Sequence, residues 1–330
     1  MLRLPELQYH RPAGLQDALA LLAKHPGKAM AIAGGTDLVP NLKHGLFAPP
    51  HLVALTQLPE LHGIEERGGE LVIGAAETLA TIASHAGVRQ HFPALAKAAG
   101  LAAGPQLRNM GTIGGNLCLD TRCTYYNQTY FWRCALGFCL KKDGEICHVT
   151  RVGKKCVAAH SADTPPVLMT LGAQLDLASV RGERSLAVAD FYVADGIDNT
   201  VRGWDELVVR VRVPMAGLRC AYQKLRQRQA IDYPLLTVAA AGALDQGVIR
   251  ELRIVVSALG ARPRALTGLQ KVALGRRLDA ETADAIAERA YQQCHPLENM
   301  IVDPEWRRAM VPVYVRRALR ELAGEEEGAA

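Results

Sequence analysis

Residues Arg108 to Asn116 read RNMGTIGGN. Glycines, a hydroxyl and a carboxamide follow an apolar stretch that predicts a helix from Phe92 to Ala103, so the loop can bring backbone N–H groups up to an anion without a Cβ in the way. Upstream, Lys28 to Ala33 is a short apolar run ending in Gly34-Gly35-Thr36-Asp37, which reads as strand, glycine turn and helix start. Ahead of it, Ala13 to Ala23 carries Leu15, Ala18, Leu19 and Leu22 at helical spacing. Two glycine-rich, hydroxyl-bearing loops point to two contacts on one phosphorylated cofactor, although either loop alone also fits an ordinary tight turn. Neither matches G-x-G-x-x-G or G-x-x-x-x-G-K-[ST], and no G-x-S-x-G or H-E-x-x-H occurs. The sequence therefore offers no dinucleotide fingerprint, no P-loop and no hydrolase machinery.

Directly after this loop the composition changes. Cys118, Cys123, Cys134, Cys139, Cys147 and Cys156 fall within 39 residues, while Cys220 and Cys294 stand apart. The stretch from Thr121 to His160 also holds six of the 17 aromatic residues and seven Lys or Arg against two acids, an excess of +5 that equals that of the whole chain. It reads as an insertion with its own task. Clustered thiols in a reducing compartment point to metal or redox chemistry before structural disulfides. The lack of any C-x2-C pair weakens zinc, whereas an iron–sulfur cube needs only four thiolates that the chain can wrap around it. Arg133, Lys141, Lys142, Arg151, Lys154 and Lys155 could offset the negative charge of such a cluster, or could simply be solvated.

Beyond Gly172 the pattern is strand-like, with Gln174 to Val180, Glu206 to Val213, Leu236 to Leu244 and Arg250 to Leu259 as expected strands. A helix from Ala280 to Gln293 is expected behind an Asp279 cap, and a last helix near Trp306 to Leu322 is expected to be interrupted at Pro312. The 330 residues predict roughly two domains. A net charge of +5 is too small to argue for nucleic acid, and no apolar run approaches a membrane helix. With no apolar leader in MLRLPELQYHRP, the chain is read as cytoplasmic.

AGGTDL at Ala33 to Leu38, IGA at Ile73 with Thr78 and Leu79 behind it, RNMGTIGGN at Arg108, SADTPP at Ser161, ELVVRVRVP at Glu206 and AYQKLRQR at Ala221 stand in order along the chain. In order and spacing they resemble the FAD-binding (medium) subunit of the molybdenum hydroxylases, the xanthine oxidase and carbon monoxide dehydrogenase family. The resemblance implies an α+β fold: a vanillyl-alcohol-oxidase-like (PCMH-type) two-subdomain FAD domain over residues 1–215, divided near 55. A carboxy-terminal domain of the CO dehydrogenase flavoprotein type would follow over 216–330, with a short antiparallel sheet and helices.

It also implies that FAD lies between the two subdomains. The backbone of Met30, Ala31, Ile32, Ala33, Gly34, Gly35, Thr36 and Asp37 would wrap the diphosphate, with Met110, Gly111, Thr112, Gly114, Gly115 and Asn116 opposite. Ala102 would lie near the adenine, Asp163 would accept from ribityl or ribose hydroxyls, and Val208 and Lys224 would border the isoalloxazine ring, where a cation could stabilise the anionic reduced flavin. On the residues alone, Asp163 fits a turn or cap and Lys224 a solvated strand charge.

Ordinary members of the family pass almost directly from the GGN loop to the S-x-D segment, so the stretch from about 120 to 160 is a departure. An insertion at this place resembles that of the beta subunit of 4-hydroxybenzoyl-CoA reductase, which carries an additional [4Fe–4S] cluster. The resemblance assigns Cys123, Cys139, Cys147 and Cys156 as its ligands, with Cys118 inside the FAD loop and Cys134 spare or exchangeable with one of the four. It implies an electron-transfer subunit with no catalytic residue of its own. Ferredoxin would reduce the cluster, and electrons would pass through FAD to a [2Fe–2S] small subunit and a molybdopterin-binding large subunit that dehydroxylates 4-hydroxybenzoyl-CoA to benzoyl-CoA. The basic face of Lys141, Lys142, Lys154 and Lys155 would meet the ferredoxin. The alternatives are the FAD subunit of a xanthine- or CO-dehydrogenase-like enzyme that has acquired a cluster, and a non-catalytic module with a zinc-stapled insertion.

Overall fold

A computed structural model describes residues 2–150 and 153–325. It contains three sheets. The first is parallel, in the order β1 (Gln8–His10), β3 (His51–Ala54), β2 (Ala29–Ile32), with short helices in the connections. Helix Leu15–Lys24 buries Leu15, Ala18, Leu19 and Leu22, the apolar stripe read from the sequence. The second sheet is antiparallel, in the order β4 (Ile64–Arg67), β5 (Glu70–Gly74), β8 (Leu207–Pro214), β6 (Gln174–Ser179), β7 (Gly182–Ala187). Leu71, Ile73, Leu175, Leu177, Val211 and Val213 alternate onto its covered face and meet helix Pro93–Leu101 and helix Thr164–Thr170 in one core.

The third sheet is an antiparallel meander, β9 (Arg219–Leu225), β10 (Leu236–Asp245), β11 (Val248–Ser257) and β12 (Arg264–Ala265). Its centre strand explains the long apolar run from Leu235 to Leu244. Val238 and Ala240 pack into a carboxy-terminal core with helices Ala280–Gln293 and Pro304–Ala323, while Ala239 and Ala241 pack into the core of the preceding sheet. Both faces of β10 are covered, so its alternation is apolar throughout. Asp279 caps helix Ala280–Gln293 as expected, its side chain accepting from the Thr282 amide at 2.9 Å.

The last helix departs from expectation: it runs unbroken from Pro304 to Ala323 with Pro312 inside. Val311, Val315, Ala318, Leu319 and Leu322 are all buried, and this continuous stripe on both sides of the proline holds the helix together despite the missing N–H. Among the described residues no helix is long and apolar enough to cross a membrane.

The insertion leaves and rejoins the framework at one point. Arg122 and Ala159 form an antiparallel bridge with both hydrogen bonds made, at 2.8 and 2.6 Å. Beyond that neck, further contacts hold the segment, among them Gly196 donating to the Cys156 carbonyl at 2.8 Å and the Cys156 amide donating to Asp195 at 3.2 Å. Thr124 donates to the Asn299 carbonyl at 2.9 Å, Asn299 donates to the Val157 carbonyl at 2.7 Å, and Arg133 donates to the carbonyls of His44 and Gly45.

Candidate functional site

The two glycine loops touch each other. Gly34 lies so close to the Met110 carbonyl that an added Cβ would stand 1.7 Å from its oxygen, and a Cβ on Gly111 would stand 3.3 Å from the Thr36 hydroxyl. Gly35 has φ of 68°, the left-handed conformation that favours glycine. The second loop is sewn to the Ile73 to Leu79 segment: Gly114 donates to the Ala75 carbonyl, Ile113 to that of Glu77, and Leu79 to that of Gly111, all between 2.8 and 2.9 Å. Thr112 caps the short helix behind it, accepting from the Gly115 amide at 3.1 Å. Asn116 turns elsewhere, its Oδ1 accepting from the Thr164 amide and hydroxyl at 3.1 and 2.7 Å. Met110 is exposed at the loop's tip, whereas Ala102 is buried.

Asp163 and Lys224 meet directly. Lys224 Nζ lies 2.9 Å from Asp163 Oδ1 and donates at 3.0 Å to the Leu101 carbonyl, with its side chain wholly buried. The Tyr222 hydroxyl donates to the same carboxylate at 2.7 Å. Burial pushes the Asp163 carboxyl above its ordinary range, opposed by Lys224 and by the Tyr222 hydroxyl. Asp163 therefore does not spend its side chain as a helix cap, and Lys224 is not a solvated strand charge. Lys224 also reaches the carbonyl next to Ala102, so residues assigned to opposite ends of the cofactor stand side by side. Val208 is buried in β8.

The four thiols assigned as ligands are brought together. Cys123, Cys139, Cys147 and Cys156 line one small pocket, with Tyr125 and Lys141 also in its wall. Burial pushes the Cys123 thiol up to about 12, and the proximity of Cys156, Cys139 and Cys147 adds to it. Burial raises Cys156 as well; at Cys147 it is outweighed by donors from Thr150, Val149 and Val157, which bring that thiol down. Among the described residues no three such side chains converge tightly enough for a single metal ion. What the four thiols share is the wall of one pocket. Cys134 is exposed on helix Tyr130–Ala135 and is absent from that wall, and Cys118 lies half-buried near Arg202.

Of the five described residues among the six basic ones proposed to offset cluster charge, Lys141 alone borders the cavity. Its side chain is 5% exposed, 2.6 Å from Asp120, and stacked 4.3 Å from the Tyr126 ring centre, so it is not available to the docking face on which the sequence reading placed it. Arg133 is buried against Asp143 and the His44 and Gly45 carbonyls, Lys154 and Lys155 are exposed, and Arg151 falls outside the described residues. Sequence reasoning passed over Arg122 and Tyr233. Arg122 is buried with its Nη2 on Asp37 Oδ1 and on the Tyr233 hydroxyl, and its guanidinium lies 4.7 Å from the Tyr233 ring centre. A basic residue beside an assigned ligand was the only signal for it.

Comparison with known proteins agrees with this geometry. Residues 5–216 match the family described as the FAD binding domain in molybdopterin dehydrogenase, and residues 221–322 match the CO dehydrogenase flavoprotein C-terminal domain. The carbon monoxide dehydrogenase medium chain of Hydrogenophaga pseudoflava is 28% identical over 96% of both chains. The xanthine dehydrogenase FAD-binding subunit of Escherichia coli O157:H7 is 28% identical over 97% of both. Among solved structures, a chain of quinoline 2-oxidoreductase from Pseudomonas putida 86 superposes with a TM-score of 0.81 at 26% identity, covering 98% of this chain and 99% of that one.

Proposed function

The chain belongs to the FAD-binding subunits of the molybdopterin dehydrogenases, and from that premise we propose that it serves a 4-hydroxybenzoyl-CoA-reductase-like complex as an FAD and [4Fe–4S] electron-transfer subunit. It is an oxidoreductase subunit with a PCMH-type FAD domain and a CO dehydrogenase flavoprotein-type domain, and we take their extents as 1–215 and 216–330. The observation that carries the finer reading is the convergence of Cys123, Cys139, Cys147 and Cys156 on one cavity inside the insertion. Their thiolates would hold the cluster, with Lys141 in the wall offsetting its negative charge. The turn from Met30 to Asp37 and the loop from Met110 to Asn116 would hold FAD, which when bound supplies exchange between one- and two-electron carriers.

In this reading the substrate chemistry belongs to a molybdopterin-binding large subunit, reached through a [2Fe–2S] small subunit, in a cytoplasmic complex. An acidic ferredoxin would dock on the insertion, where Phe131, Ile146, Lys154 and Lys155 are exposed. The names of the relatives favour a second reading, an FAD subunit of a CO- or xanthine-dehydrogenase-like enzyme that carries the extra segment.

The test is anaerobic purification with iron, acid-labile sulfide, zinc and flavin counted per chain. Roughly four irons, four sulfides and about one FAD are expected. Zinc without sulfide would reduce the insertion to a structural staple and overturn the cluster. Flavin reduction by reduced ferredoxin supports the reductase, and reduction by NADH alone the second reading.

A further inference from the structure

We propose that Arg122 is an FAD-binding residue that serves the flavin-ring end of the cofactor. The inference rests on reading the turn from Met30 to Asp37 as the FAD loop and the Lys224 side of the site as its flavin-ring end, in place of the adenine assignment of Ala102, and it adds a ligand from outside the shared motifs. The side chain is 9% exposed. Its Nη2 is engaged by Asp37, at the end of that loop, and by the Tyr233 hydroxyl at 2.7 Å. Its Nη1 is buried and has no acceptor among the described residues. A guanidinium cannot shed its proton, and a buried charged donor without a partner is among the costlier things a protein can leave unpaired, so Nη1 calls for an acceptor from outside the chain.

Position selects the acceptor. Tyr233 belongs to the loop between β9 and β10, and two residues earlier Ile231 donates to the Ala103 carbonyl at 3.0 Å. Lys224 donates to the Leu101 carbonyl on the same stretch. Arg122 thus spans from the glycine turn to the strand-connecting loop beside Lys224. The Asp37 carboxylate at the guanidinium repels a second anion and leaves little net charge for a diphosphate, whereas a neutral carbonyl oxygen or ring nitrogen of the flavin suits one remaining N–H.

The experiment uses the whole complex, deflavinated and titrated with FAD and, separately, with ADP, which carries the diphosphate half alone. Arg122→Met, made on an Asp37→Asn background so that no unpaired carboxylate faces the diphosphate, is expected to weaken FAD by about tenfold or more relative to that background, the worth of one charge-assisted hydrogen bond, with ADP affinity and iron and sulfide content unchanged from it. Tyr233→Phe keeps the ring and removes the hydroxyl that positions the guanidinium; a smaller loss for FAD, again with ADP unaffected, is expected. Unchanged FAD affinity in Arg122→Met, or a loss shared equally by ADP, would overturn the assignment. If the parent complex fails to take up FAD at all, the loop reading fails instead.

Discussion

Asn116 and Thr164 clasp the two ends of the chain that flank the insertion: one carboxamide oxygen accepts both the amide and the hydroxyl of Thr164, across 48 residues of sequence. Two motifs that look like separate cofactor contacts are thereby one structural unit. Asn116→Ala leaves the buried Thr164 donors without this acceptor and is expected to lower unfolding free energy by ~1–3 kcal/mol, read by denaturant titration.

Gly34→Ala is expected to abolish tight FAD retention. The added methyl would meet the Met110 carbonyl, which is backbone and has no rotamer by which to escape, so the two loops must part. Flavin absorbance of the purified complex measures it, with Gly27→Ala, where nothing lies within 4 Å, as the strained but open control.

Single Cys→Ala changes at Cys123, Cys139, Cys147 and Cys156 should each lower bound iron and sulfide, and Cys134→Ala should not. Only the first four line the cavity. Counting iron on the five variants reads the difference.

The buried pair of Asp163 and Lys224 predicts an asymmetry. Lys224→Met leaves a buried carboxylate with only the Tyr222 hydroxyl as partner and is expected to destabilise by ~3–5 kcal/mol. Adding Asp163→Asn to it should restore part of that loss, because the uncompensated charge is gone. Denaturant midpoints of the single and double variants test this.

His160 predicts an acid sensitivity with a defined sign. The ring is buried, with Nδ1 3.0 Å from the Ser257 hydroxyl, and burial pushes its pKa down from 6.5 to about 3. Below pH 6.5 the unfolded chain takes up a proton that the folded one refuses, so stability falls as pH drops through that window, by up to ~1.4 kcal/mol per pH unit. The contribution is complete above pH 6.5. His160→Asn should flatten this part of the stability profile, whatever the size of its effect at neutral pH.

What the sequence made legible was what local pattern controls. The stripe of Leu15, Ala18, Leu19 and Leu22 and the Asp279 cap depend on residues three and four apart, and both are found as read. Pro312 shows the limit, since packing of Val311 and Val315 outweighs the lost hydrogen bond. Strand β1, of three residues with two exposed and one half-buried, has no periodicity to detect. The thiols were found by clustering in sequence, whereas Arg122 meets Asp37 and Tyr233 across long separations that no local spacing records.

The neck at Arg122 and Ala159 carries an implication for how such a chain is built. The closed ladder rung brings the two ends of the segment to one place on the framework, so the stretch from Cys123 to Ala158 departs and returns as a cassette, anchored further through Thr124, Arg133 and Cys156. A short turn joining Arg122 to Ala159 would close the framework without the segment, and the same rung marks where a different segment could be spliced in.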